Sequence, residues 1–391
     1  MGACACACAR HGGDMSGLES LTVHAYAAVD GRHLTRLPYA SASWSDSINE
    51  PGQMSVDMTM SSLSHRLTVD GQSIRAVLRP WRAILAVQRG MHVLHAGPVT
   101  GRKWDAANRK LSFTCGGGWT LLGKRLVLNH KLDASFQDGE ILIDEDHPAG
   151  DWALKLKGSY RDIARGIIAE TLEWGPLPFA LPPVEGGAYT RTYGGWDLAT
   201  CADRIDDLSN LAIGHEFRFT PRIDDTGSLS FLLEAGTELV DHEYDLDATI
   251  PGQRVALGSI DEDGAPMTCE VWAAGGKDND KTVMARAQLP DQYRDPGLPV
   301  MQTSNTSHTT VSKVDTLRAY ARAQCALGAW PDETFALTLG EEFDPHVGDH
   351  LAVRVDDDYL GLTRLELKVT DVSARSDSDW VTVQCRERSQ P

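Results

Sequence analysis

The chain lacks any run of about 18 apolar residues, the minimum for a helix that crosses a bilayer, and so predicts no spanning helix. Its first residues lack the basic-then-apolar layout of a secretory leader, and folding in the cytoplasm is expected. Positive charge is scarce. Lys and Arg total 37 against 55 Asp and Glu, a formal net charge of -18, which opposes a large phosphate-binding surface. Paired cysteines are missing too. Cys115, Cys201, Cys269, Cys325 and Cys385 are singletons inside apolar patterns, where a free thiol behaves as a small hydrophobe.

Catalytic signatures are equally sparse. Gly116-Gly117-Gly118 has neither the Lys-Ser/Thr ending of a phosphate loop nor dinucleotide spacing, and reads as a bend or a close backbone approach. His215-Glu216 lacks the second histidine of a zinc-protease helix, and no G-x-S-x-G elbow occurs. Asp356-Asp357-Asp358 falls where a hairpin turn belongs, without the alternating oxygens and closing Glu of a calcium loop. Asp144, Glu145, Asp146 and His147 could serve glycoside hydrolysis, but adjacent acids on one loop diverge instead of flanking a bond. Cys4, Cys6 and Cys8 suggest a soft-metal or redox tail, yet no nearby ligands complete a tetrahedral set. Met15 looks like a better translation start, which makes residues 1–20 a disordered or spurious extension. No catalytic, cofactor-binding or metal residue is therefore assigned.

What is present is strand grammar. In WSDSINEPGQMSVDMTM, Trp44 to Met60, a polar turn closing on Pro51-Gly52 feeds a strand of strict alternation. Met54, Val56, Met58 and Met60 share one face; Ser55, Asp57 and Thr59 share the other. Leu21, Val23 and Ala25 alternate likewise, as do Ile74, Ala76 and Leu78, and Leu111, Phe113 and Cys115, with turn signals between them. At 391 residues, with 42% hydrophobic and 24% charged, the chain suggests two to four domains.

The texture changes at Gly158. Ser159 and Asp162 form a capping-box pattern for a helix that Gly175-Pro176 ends. A second helix is predicted over about Asp197 to Ala212, with Leu198, Cys201, Ala202, Ile205 and Leu208 on one stripe. The stretch EFRFTPRIDDTGSLSFLLEAG then reads as a hairpin whose Phe217 and Phe219 pack on that helix. Strands follow over 255–288, an exposed loop over Leu289 to Thr310, and a helix over about Val314 to Leu327. The remainder alternates through Leu337, Val353, Leu367 and Val383. The fold class is thus α+β, mostly β. A first β domain spans 21–157, an α/β middle region 158–310, and a helix with a second β domain 311–391.

Taken in order, these blocks resemble the minor tail proteins of long-tailed actinobacteriophages, related to the hub family of phage baseplates and tail tips. The resemblance spans roughly Leu21 to Glu387. It is carried by WSDSINEPGQMSVDMTM, by GPVTGRKWDAANRKLSFTC, by the helix and EFRFTPRIDDTGSLSFLLEAG unit, and by the closing helix before FDPHVGDHLAVRV. It implies two β-barrel-like tube domains with an α/β insertion and a homotrimeric ring under the tail tube. Further implications are contacts with tube-adaptor, tape-measure and fibre proteins, location in the virion after assembly in host cytoplasm, and an acidic channel through which DNA slides. No lysozyme-like or peptidase block is apparent, so the resemblance implies a non-enzymatic protein without cofactors. Two alternatives stand beside it. One is a cell-wall hydrolase using Glu145, Asp146 and His147 or the α/β middle; the other is a carbohydrate-binding tail protein using exposed members of the ten tryptophans.

Overall fold

A computed structural model describes residues 20–60, 68–69, 71–135, 149–210, 215–278, 281–289, 297–306 and 314–388. The fold is α+β and mostly β. Thirteen strands form one continuous sheet, supplied by both ends of the chain. The join is made by Ser41–Ser47, which pairs with Gln53–Thr59 on one side and with Gly361–Arg375 on the other. Ser47 lies opposite Asp371 and Ser43 opposite Arg375. The sheet does not close into a barrel. Its main path ends at the open strands Val255–Asp263 and His33–Leu37, and a branch through His350–Asp357 ends at a third, Glu243–Asp247.

Alternation does most of the work in the first half, except at Ile74, Ala76 and Leu78, which read as a strand but form a short helix over Ile74–Val77, with Leu78 N–H donating to the Ile74 carbonyl. Met54, Val56 and Met58 are buried while Ser55 and Thr59 are exposed, as the two-residue period requires. They share a core with Val23, Ala25, Leu85, Phe113 and Cys115 from neighbouring strands. Ala83–Arg89 departs from alternation: six of its residues in a row are buried. The reason is that Leu85 and Val87 face this core while Ile84 and Ala86 face a second one on the other side.

That second core is roofed by helices. Tyr160–Glu173 begins at the expected box: Asp162 N–H donates to Ser159 Oγ at 3.1 Å, and Ser159 N–H donates back to the Asp162 carboxylate. The next helix is shorter than its sequence pattern suggests, Cys201–Ser209, because Thr200 and Asp203 form another capping box inside the apolar stripe. Leu198 consequently precedes the helix in a left-handed conformation and is exposed. The hairpin Glu216–Ile223 and Leu229–Gly236 forms as expected, and Phe217 and Phe219 are buried with Ile205 and Leu208.

The C-terminal half of the sheet holds a third core from Phe335, Leu337, Leu351, Val353, Leu367 and Val383. Two strands from the middle of the chain join it: Glu243–Asp247 pairs with His350–Asp357, and Val255–Asp263 with Asp332–Gly340. A small satellite packs Val314–Leu327 on a three-stranded sheet through Val271, Ala273, Leu317, Ala321 and Cys325. One of its strands, Gln302–Asn305, lies inside the stretch expected to be loop. It pairs in parallel with Glu270–Asp278, a main-chain contact that a polar Gln-Thr-Ser-Asn sequence does not advertise.

Candidate functional site

The two sheet halves enclose a cleft of about 510 Å³. Its walls are the Asp46–Gly52 turn, the strand starting at His92, the Phe217–Arg222 strand, and the Glu341–Val347 loop. Three polar devices hold it open.

The first is Arg218, which donates to Glu234 at 2.9 Å, to the Val347 carbonyl at 3.1 Å, and to Asp241 at 3.0 Å. Burial works against its charge, but the Asp241 and Glu234 carboxylates outweigh that and raise its pKa. Asp241 is correspondingly lowered: burial opposes ionisation, and the Arg218 guanidinium overrides it. Close by, Arg89 crosses between the halves to Glu341 at 2.6 Å.

The second is Asp349, fully buried. One carboxylate oxygen accepts the N–H groups of Asp241 at 3.0 Å and His242 at 2.8 Å, and the other accepts His346 N–H at 2.8 Å. Two loops distant in sequence are thereby fixed side by side, which stacks the His242 and His346 rings with centroids 5.5 Å apart. His92 approaches from the first sheet half, its Nε2 lying 3.5 Å from Asp344.

The third is His95, buried, with Nδ1 3.0 Å from Asp46 and Nε2 3.2 Å from the Gly116 carbonyl. Both neighbours are acceptors, so both ring nitrogens must carry a proton and the imidazolium is the form that satisfies them. Burial by itself would lower the pKa; the Asp46 charge and the two hydrogen bonds raise it. Gly52 makes room for this pair, since a Cβ there would stand 2.4 Å from Asp46 Oδ1 and 2.7 Å from the His95 ring. Its φ is not positive; the left-handed residue of the turn is Asn49, whose side chain accepts Phe217 N–H at 2.7 Å. The triple glycine serves a close approach, as expected: a Cβ on Gly118 would stand 2.7 Å from the Phe219 Cβ, and one on Gly117 3.1 Å from the Gly52 nitrogen.

Other sequence candidates have structural partners. Glu216 accepts from Lys368 and from Leu239 N–H, while His215 stands edge-on to Tyr160. Asp356, Asp357 and Asp358 sit at the hairpin between His350–Asp357 and Gly361–Arg375. Cys115, Cys201, Cys269, Cys325 and Cys385 are buried and free. Burial pushes the Cys201 thiol up to about 11. Asp144, Glu145, Asp146, His147, Cys4, Cys6 and Cys8 lie outside the described residues. Sequence reasoning missed the cleft histidines altogether. Their signal is density, with Asp344, His346, Asp349 and His350 crowded into FDPHVGDH and Asp241-His242 placed before a short strand.

No protein-family model matches the chain, and no curated protein does. Solved structures do match. The tail protein of Neisseria meningitidis MC58 is similar over 95% of this chain and 98% of its own, at 13% identity and a TM-score of 0.50. The 43 kDa tail protein of prophage MuSo2 from Shewanella oneidensis aligns over 94% and 98%, at 10% identity and a TM-score of 0.52. The chain shares the fold of these two tail proteins. The E. coli c3393 protein, a type VI secretion component described as resembling the T4 tail proteins gp27 and gp5, matches 90% of this chain and 74% of its own. Its identity is 14% and its TM-score 0.50.

Proposed function

We propose that the protein is a structural component of the tail tip of a long-tailed phage of actinobacteria. In this reading it is a hub that links the tail tube to distal fibre or receptor-binding proteins. The observation that carries it is the fold likeness to two tail proteins across nearly the whole of each chain. Two tube-like domains, 21–157 and 311–391, would flank the α/β region 158–310, three copies would form a ring, and DNA would leave through its centre. The charge of -18 supports the channel, since an acidic wall repels phosphate. The open strands Val255–Asp263 and His33–Leu37 offer unpaired backbone groups to neighbouring subunits. The role is mechanical and not enzymatic.

Antibody-labelled electron microscopy of purified virions tests this. Label at the tail tip, with a trimer by analytical ultracentrifugation, is the expected result. Protein that remains monomeric at high concentration and is absent from tails would overturn it. Cell-wall clearing by the pure protein that vanishes in Glu145→Gln would replace it with the hydrolase reading.

A further inference from the structure

We infer that the cleft holds a divalent transition-metal ion of the zinc type, ligated by His92, Asp344 and His346, which staples the two sheet halves together. The inference concerns the isolated chain and does not depend on where the protein sits in a virion.

One ring nitrogen each of His92 and His346 and one carboxylate oxygen of Asp344 lie within 4.8 Å of one another. Zinc bonds of about 2.0–2.1 Å in a tetrahedron put ligand atoms about 3.3–3.4 Å apart. His92 Nε2 and Asp344 Oδ2, at 3.5 Å, already have that separation. The His346 nitrogen lies within 4.8 Å of both. Two imidazoles and a carboxylate are a borderline-soft donor set that suits zinc and cobalt better than calcium or magnesium.

A second observation points to a ligand. His346 Nδ1 is a buried atom that makes no hydrogen bond among the described residues, although it stands in ion-pair contact with the Asp241 carboxylate at 3.4 Å. A buried imidazole nitrogen without a directed hydrogen bond is costly, and the Asp241 carboxylate offsets that cost only in part as an ion-pair partner. His242, His346 and Asp349 form a competing set with the same central histidine. It is the weaker one, because both Asp349 oxygens already accept backbone N–H groups, whereas the Asp344 carboxylate accepts none among the described residues. His92 begins a strand of the first sheet half, and Asp344 and His346 belong to the loop entering the second. An ion there would close a very long chain loop beside the Arg89–Glu341 pair.

The test uses the full chain with Cys4, Cys6 and Cys8 changed to Ser, so that tail thiols do not contribute. Metal-free protein is titrated with cobalt chloride, read by visible d–d absorption, and with zinc chloride by calorimetry. Saturable binding of one ion is expected, weakened on the order of 100-fold by His92→Ala or Asp344→Ala, since even outer-shell changes cost 10–100-fold. His242→Ala should leave affinity nearly unchanged. Circular dichroism in chelator checks folding, and where an alanine variant unfolds, His92→Gln or Asp344→Asn carries the comparison. Absence of saturable binding, or binding that survives both substitutions, overturns the site. Loss in His242→Ala but not in His92→Ala moves the ion to the competing set and also overturns it.

Discussion

Met54, Val56 and Met58 on one strand are buried with Phe113 and Leu85 in an apolar cluster. On the adjoining strand, Asp46 turns into the cleft and meets a buried histidine. The same sheet thus carries a dry core and a polar seam. Dry packing is specified by volume and tolerates any side chain that fills the space. The seam is specified by donors and acceptors, each of which depends on a particular partner.

Truncating the dry side should do the most damage. Phe113→Ala removes a fully buried ring and is expected to cost about 3–5 kcal/mol, measured by urea unfolding. Phe113→Leu should recover most of that loss. In the seam, Asp349→Ala strands three backbone N–H groups. It should cost about 2–4 kcal/mol, given roughly 1–3 kcal/mol for each unpaired buried group and partial relief by entering water. The near-isosteric Asp349→Asn should rescue only part, because its amide oxygen can keep the Asp241 and His242 N–H groups while its NH2 faces the His346 N–H. Full rescue by Asn would show that shape governs the seam as it governs the core.

Asp162 offers a milder version outside the cleft. Its carboxylate accepts N–H from Ser159, Glu185 and Gly186, joining a helix start to the Pro-rich connection. Asp162→Ala should cost about 1–2 kcal/mol, in the range of a lost cap. Burial opposes ionisation here, and the backbone donors outweigh it, so the folded pKa lies below the ordinary carboxylate value of 3.8. The contribution is complete above that value and is lost as pH falls through the folded pKa. Wild type and variant should converge in strong acid. A constant gap at every pH would show that the cost comes from lost packing.

The dry side was legible in the sequence and the seam was not. Alternation located Gln53–Thr59, and the Ser159/Asp162 box located the start of Tyr160–Glu173, because both signals are local. The failures came from long range. Leu198 fitted a helical stripe, but a second capping box at Thr200 ended the choice in favour of a shorter helix. Gln302–Asn305 is a strand only because Glu270–Asp278 lies beside it. His92, His242 and His346 converge across three separate segments, and no spacing rule links position 92 to position 346. Pro51-Gly52 was read as chain reversal, while the glycine's other service, making room for His95 and Asp46, required the fold.

His95 provides the smallest and most selective test of the seam. Its ring is held between two acceptors, and its folded pKa lies above the ordinary 6.5 because the Asp46 charge and the hydrogen bonds outweigh burial. The folded state therefore binds a proton that the unfolded chain releases first. Stability from this pair is fully present below the ordinary histidine value and is lost as pH rises through the folded one. Unfolding midpoints measured from slightly acid to alkaline pH should fall more steeply for wild type than for His95→Gln, whose amide does not titrate. Asp46→Asn should remove or reverse the decline, since burial, the largest influence on the ring, is then opposed by the Gly116 hydrogen bond alone. Parallel slopes in wild type and His95→Gln would mean that the imidazolium is not held in the fold, and the seam would then lose its distinction from the core at the residue where the contrast is sharpest.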